Sequence, residues 1–363
     1  ISLNIPNFNG DNIIIQQANN GMSNPTYLLF SPGYRKLIIR KKPPGKLLPG
    51  AHQIEREYRV MSALKKSNVP CPEVHALCED ESILGRSFYV MDYVEGRVID
   101  TDEVLLLPPE DRYAIYDQLN IIMASLHTLN FEEIGLSKHG KSGNYAKRQL
   151  RTWGRQFRLG LPTIKESNHE FAATLLQASS KFENVIERLR CFVDSGSVSD
   201  VTQLVHGDFR LGNVILDLKE AKVVAVLDWE ISTLGHPLLD LAYLMMPWYI
   251  PGGFLRNFKK IKEGQILPKG LLNEMDYVAL YCQRRNIPMV EKEEWTFWKA
   301  LTCFRLAAIN HGVYARGVGG NAGSNKAVLS GPSCLVLINS AEGMLNELEN
   351  SMGVGGNKLG AKL

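Results

Sequence analysis

LVHGDFRLGNVILD, residues 204–217, holds an aspartate, Asp208, and an asparagine, Asn213, in the spacing D-x-x-x-x-N between two apolar runs. That spacing suits phosphoryl transfer: an aspartate beside an attacking hydroxyl accepts its proton and aligns it, and an asparagine closing the loop offers a neutral oxygen to Mg²⁺. The next apolar run, in AKVVAVLDW (221–229), reads with VILD (214–217) as a β-hairpin. Pairing of Val214–Leu216 with Ala225–Leu227 would set Asn213 opposite Asp228, where both could meet one cation. One Asn and one Asp suffice for Mg²⁺, which keeps phosphate oxygens and water in its other positions. Asp208 is thus the candidate base, and Asn213 and Asp228 are the candidate metal ligands. Arg210 is placed either to reach a γ-phosphate or to anchor the loop. His206 is expected to pack and hydrogen-bond beneath the loop. Asp240 in HPLLDLAY (236–243) lies among apolar residues and needs a partner, for which the catalytic-loop backbone is a natural choice.

Upstream of this loop the period of the sequence changes several times. Residues 13–15 and 27–30 are short apolar runs separated by turn formers, and a third strand is expected over 36–41. Ile54, Tyr58 and Met61 repeat at helical spacing within 51–66, and Pro70 and Pro72 end that helix. Strands at 73–77 and 87–92 complete a β-β-β-α-β-β lobe. A long helix follows, marked by Ile115, Leu119, Ile122, Leu126 and Leu129. The expectation is a bilobal α+β fold: a small antiparallel β-rich N-lobe with one helix over 1–95, a larger, mainly helical C-lobe over 96–345, and a Gly-rich tail or linker over 346–363.

Within LIIRK (37–41), Ile38 and Arg40 share one face, making Arg40 the candidate cation over the ATP phosphates, although a bulge would substitute Lys41. Glu57 on the helix is its expected carboxylate partner, whereas Glu55 points away. In NNGMSNPT (19–26), the backbone around Gly21 to Asn24 and the Ser23 hydroxyl could cover the β-phosphate. Backbone at Asp92, Tyr93 and Val94, where the lobes join, is the expected adenine edge. Between Glu133 and Glu166 there is no acidic residue, while Arg148, Arg151 and Arg155 stand at helical spacing near Tyr145, Trp153 and Phe157. Such a basic helix face would repel polycations and attract a phosphate-bearing ligand.

Composition narrows the remaining classes. A net charge of +3 over 363 residues gives no argument for nucleic-acid binding, and no apolar run approaches a membrane span. Six cysteines without a C-x-x-C pair suggest a reducing, intracellular setting rather than a zinc site. The start at Ile-Ser-Leu reads as a processed or excised segment.

HGDFRLGN (206–213), LDWE (227–230), HPLLDLAY (236–243) and LIIRKKPPG (37–45) resemble the aminoglycoside phosphotransferase-like family, over roughly residues 10–345. RKKPPGKLLPGAH (40–52), RQLRTWGRQF (148–157) and HGVYARGVGGNAGS (311–324) look most like the kinase domain at the N-terminus of acyl-CoA dehydrogenase family members ten and eleven. The resemblance implies a protein-kinase-like fold, ATP and Mg²⁺, phosphorylation of a hydroxyacyl-CoA hydroxyl, and covalent fusion to a dehydrogenase. It further implies a mitochondrial or peroxisomal location, with the cytoplasm as the alternative. The rivals are an aminoglycoside, choline or homoserine kinase, and a non-catalytic module that binds nucleotide or acyl-CoA and regulates a fused or partner dehydrogenase.

Overall fold

The computed structural model describes residues 5, 13–18, 24–30, 33, 35–44, 53–250, 267–320 and 325–352. Contacts group the chain into two compact units. The first is Ile1–Lys141 with Gln203–Leu234, and the second is Ser142–Thr202 with Gly235–Leu363. This division differs from a lobe boundary at 95/96, because the catalytic loop and its hairpin group with the N-terminal sheet.

In the first unit, β1 (Ile14–Gln17), β2 (Thr26–Phe30), β3 (Leu37–Lys41), β4 (Val74–Cys78) and β5 (Phe88–Asp92) form one antiparallel sheet in the order β1-β2-β3-β5-β4. Alternation divides its side chains. Leu29, Leu37, Phe88 and Val90 build a core cluster on one face. Ile38, Arg40, Tyr89 and Met91 occupy the other, since Ile38 pairs with Met91 and Arg40 with Tyr89. Helix α1 (Ile54–Leu64) buries Ile54, Glu57, Val60, Met61 and Leu64, a stripe in which Glu57 is the one charged member. The Tyr58 ring lies 6.2 Å from that of Tyr89, which puts α1 on the Arg40 side of the sheet. A four-residue helix not expected from the sequence, α2 (Glu81–Leu84), stands between β4 and β5, capped by Asp80.

The unit continues with α3 (Thr101–Val104) and α4 (Pro109–Thr128), whose buried face includes Ile115, Leu119, Ile122 and Leu126. Gly96 passes so close to the hairpin that a Cβ would stand 2.3 Å from the Leu216 carbonyl oxygen, and Arg97 and Leu216 exchange both backbone hydrogen bonds at 2.8 Å. Strands β6 (Gln203–Val205), β7 (Val214–Leu216), β8 (Val223–Val226) and β9 (Thr233–Gly235) pair as β6-β9 and β7-β8. The first of these ribbons is additional to the expected hairpin; its strands are too short to show a period.

The second unit is helical: α5 (Tyr145–Lys165), α6 (Ala172–Gln177), α7 (Ser179–Asp194), α8 (Pro237–Leu244), α9 (Met246–Tyr249), α10 (Glu274–Arg285), α11 (Lys292–Val318) and α12 (Ser330–Ser351). Its centre is α11, in which Trp295, Phe297, Trp298, Phe304 and Tyr314 are buried. Asp240 is buried within α8. Residues Ala327–Ser351 are long and apolar enough to cross a membrane by length and composition. Here, though, α12 packs along α11 and is pinned to α7 by Arg188–Glu349 at 2.7 Å and Lys181–Glu342 at 2.8 Å. The helix runs well past 346, so a tail beginning there is corrected: 346–351 are helical, and 353–363 lie outside the described residues.

Candidate active site

Arg40 joins strand to helix to hairpin within the first unit. Its Nη1 donates to Glu57 Oε1 at 2.6 Å and its Nη2 to Asp228 Oδ1 at 3.1 Å. Lys41 pairs with Phe88 on the alternate face, and Glu55 takes Lys42, so α1 presents Glu57 to the fork of Arg40. Burial drives the Glu57 carboxyl up to about 7, against the pull of Arg40, and its Oε2 has no hydrogen-bond partner among the described residues. Burial works against the Arg40 charge too, but Glu57, Tyr89 and Asp228 outweigh it and hold the proton more firmly than usual. The guanidinium is therefore the fixed charge and Glu57 the member of the pair that titrates.

The candidate catalytic loop is built from β6 downward. His206 is fully buried; its Nδ1 accepts from the Asp208 amide at 3.2 Å, so the proton is on Nε2, which donates to the Leu227 carbonyl at 2.9 Å. Gly207 has φ +85°, and a Cβ there would lie 3.0 Å from the Ile231 carbonyl oxygen. Asn213 Nδ2 donates to the Asp208 backbone oxygen at 2.8 Å and to Asp208 Oδ2 at 2.7 Å. With its nitrogen spent in this way, Asn213 offers a cation only its Oδ1. Arg210 Nε lies 3.5 Å from Asp208 Oδ2, and the side chain is half exposed, so its pull on the carboxylate is screened by water.

The register of the hairpin corrects one expectation. Val214 pairs with Val226 and Ile215 with Ala225, and the Leu227 amide donates to the Asn213 carbonyl at 2.8 Å. Asn213 therefore stands opposite Leu227, one residue short of Asp228. A register shift between Ile215 and Leu216 offsets the ladder by one residue, and after β8 the chain turns back at Trp229, which is buried completely with its indole N–H on the Val226 carbonyl at 3.1 Å. Asp228 absorbs the reversal in the left-handed region, at φ 66° and ψ 57°. Its carboxylate, 31% exposed, keeps an accessible oxygen-donor surface. Among the described residues no cluster of three His, Cys, Asp or Glu side chains could hold a metal. A single carboxylate with an amide oxygen fits a hard ion that brings its own phosphate ligands, and Asp228 with Asn213 is such a set.

Gly21 and Ser23 lie outside the described residues. Asn24 is buried and donates from Nδ2 to Glu230 Oε2 at 3.2 Å, which ties the β1–β2 loop to the segment after Asp228. At the expected adenine edge, the Asp92 amide donates to Glu73 O at 2.9 Å and the Tyr93 amide to Lys36 O at 3.2 Å. The Asp92 carboxylate takes His75 at 2.7 Å together with Arg35. A base edge there would have to use Val94 or backbone carbonyls. Two residues to which the sequence gives no role border the segment after Asp228: Glu230, through Asn24, and Arg56, whose Nη2 donates to the Ser232 and His139 carbonyls at 2.9 and 2.7 Å. Nothing in the sequence marks Arg56, but Glu230 is two residues beyond the candidate ligand Asp228.

In the second unit, Arg148, Arg151 and Arg155 share one face of α5, with Arg148 half-buried over the Tyr145 ring at 5.4 Å and the other two exposed. A stretch without acids in sequence is not without them in space. Lys147 pairs with Asp194 at 2.7 Å, Arg158 meets Glu183 through both guanidinium nitrogens at 2.8 and 2.5 Å, and Asp200 Oδ2 accepts the Asn144 amide at the helix start.

The model of the phosphotransferase enzyme family matches residues 14–265, spanning the sheet, α1, the catalytic loop and Asp228. The chain belongs to this family. It is 39% identical over 317 residues to acyl-CoA dehydrogenase family member 10 of Mus musculus, covering 87% of the chain and 28% of that protein. With acyl-CoA dehydrogenase family member 11 of Rattus norvegicus it shares 36% over 335 residues, covering 91% of the chain and 40% of the relative. It thus spans well under half the length of these relatives. A Ralstonia eutropha crystal structure assigned as an aminoglycoside phosphotransferase superposes with a TM-score of 0.77 at 36% identity, covering 94% of each chain. A choline kinase from Cryptosporidium parvum shares the fold, at TM-score 0.57 and 12% identity over 96% of this chain and 91% of its own. As a family member this protein is a small-molecule phosphotransferase with an antiparallel-sheet unit and a helical unit.

Proposed function

We propose that the protein transfers the γ-phosphoryl group of ATP to the hydroxyl of a hydroxyacyl-CoA. The observation that carries the chemistry is the Arg40 fork, which links Glu57 to Asp228 in the unit that also holds Asp208 and Asn213. Asp228 and Asn213 Oδ1 would hold Mg²⁺, which when bound neutralises the β- and γ-phosphate oxygens. Asp208 aligns the substrate hydroxyl and takes its proton as the new O–P bond forms and the bond to the β-phosphate bridging oxygen breaks. Arg40 offers positive charge to the polyphosphate, and most of the rate enhancement comes from positioning and electrostatics. For the acceptor, the arginine face of α5 and the acyl-CoA dehydrogenase relatives, of which this chain corresponds to a part, support a CoA thioester.

The test is ATP consumption measured against hydroxyacyl-CoAs, free hydroxy acids, amino alcohols and aminoglycosides. Turnover is expected with the thioesters. Equal turnover of the free acids would remove the CoA part of the proposal, and turnover of aminoglycosides or amino alcohols alone would replace the substrate class.

A further inference from the structure

Four contacts converge on the five residues Asp228–Ser232. Arg40 holds the Asp228 carboxylate, Asn24 holds the Glu230 carboxylate, Arg56 holds the Ser232 carbonyl, and the Ser232 hydroxyl donates to the Val205 carbonyl at 2.8 Å. Val205 ends β6, directly before His206-Gly207-Asp208. Ser232 is therefore a junction: its carbonyl faces α1 and its hydroxyl faces the strand that delivers the base. Arg56 and Glu57 are neighbours on α1, so this helix grips the segment at both ends, at Asp228 by way of Arg40 and at Ser232 directly. At the first of these grips Asp228 keeps its left-handed backbone, a conformation that costs energy in a residue with a Cβ and persists only when its surroundings hold it.

We infer that Arg56 is a positioning residue for the metal ligand: by fixing the Ser232 and His139 carbonyls it sets the place of the Asp228 carboxylate. This rests on the phosphotransferase reading. A guanidinium suits the task because one nitrogen presents two N–H groups at a fixed angle, to carbonyls at 2.7 and 2.9 Å. Loss of Arg56 leaves the fork of Arg40 intact but loosens the far end of the segment, where only the Ser232 hydroxyl bond to Val205 then remains of the two contacts at Ser232. The effect should then fall on metal-dependent steps and spare contacts made without metal.

The measurement is ADP affinity by calorimetry, with and without Mg²⁺, for the wild type, Arg56→Met and Arg56→Lys. For wild type, Mg²⁺ should tighten ADP binding. In Arg56→Met that tightening should shrink by about tenfold or more, as for residues that orient metal ligands from behind, while metal-free ADP affinity stays within about twofold. Arg56→Lys keeps charge and stem but lacks the forked donors, and should show an intermediate loss; it decides the matter if the Met variant does not fold. Retention of the full Mg²⁺ effect in the folded variants would overturn the role of Arg56, as would equal losses with and without metal. Absence of any Mg²⁺ effect in the wild type would instead remove the metal reading on which the inference rests, and the inference with it.

Discussion

Glu57→Gln separates the stability of the Arg40 pair from its use. Glu57 is 1% exposed and Arg40 13%, so both charges have left water, and burial lifts the Glu57 carboxyl from 4.5 to about 7 despite an arginine at 2.6 Å. Because the folded-state value is raised, the favourable contribution is complete below pH 4.5 and is lost as the pH climbs through 7. At roughly 1.4 kcal/mol per pH unit, the ionised carboxylate costs the folded state about 3 kcal/mol above pH 7. Glutamine keeps the shape and an acceptor oxygen but cannot ionise. Urea unfolding should therefore find Glu57→Gln gaining on the wild type between pH 5 and 8, by up to about 3 kcal/mol. Activity should move oppositely. KM for ATP in the wild type should rise as the pH falls through 7, while Glu57→Gln should show that raised value at every pH, since Arg40 then keeps an acceptor at position 57 but never the charge that holds it firmly. A variant that loses about 2 kcal/mol or more at pH 8 would refute the reasoning, because the pair would then be a net source of stability.

Asp208→Asn should lower kcat by about 10²-fold or more with little change in nucleotide affinity, because general-base catalysis is removed and the Asn213 contact survives; stopped assays with a hydroxyacyl-CoA check this. Asp228→Ala should abolish Mg²⁺-dependent ATP binding, measured by calorimetry, and unaltered Mg·ATP affinity would remove Asp228 from the metal site. Arg151→Glu, on the exposed part of the α5 face, should raise KM for a hydroxyacyl-CoA much more than for ATP, with added salt acting in the same direction. His311 is fully buried against Phe157 and Phe182, with neither ring nitrogen hydrogen-bonded among the described residues, and burial lowers it to about 4. A histidine depressed in this way destabilises the fold as the pH drops from 6.5 towards 4. His311→Met should recover up to about 3 kcal/mol of that acid loss in unfolding titrations.

Much of this site was legible because its spacing is local. Asp208 and Asn213 are five apart on one loop, and the pair Arg40–Glu57 follows from strand alternation and helical period. The hairpin register was not legible: a run of valines pairs about equally well one residue either way, and the irregularity between Ile215 and Leu216 that shifts it leaves no mark in the sequence. The roles of Glu230 and Arg56 depend on partners more than 80 residues distant, at Asn24, His139 and Ser232. No periodicity reports contacts of that range. The acids facing α5 escaped for the same reason, since Asp194, Glu183 and Asp200 come from α7 and the loop after it.

That the first unit is sewn from two stretches of chain, Ile1–Lys141 and Gln203–Leu234, sets an order of assembly during synthesis. The sheet and α1 leave the ribosome before any partner for Arg40 beyond Glu57 exists. At ~5 to 20 residues per second, the stretch between Lys141 and Leu234 takes roughly 5 to 20 s to emerge, and for that interval the face awaiting the hairpin is uncovered. A nascent chain stalled before residue 203 would bury its sheet core yet lack Asp208, Asn213 and Asp228 altogether. On the roles proposed for these three residues such a chain would have no activity, and the surface its sheet leaves uncovered is open to premature association.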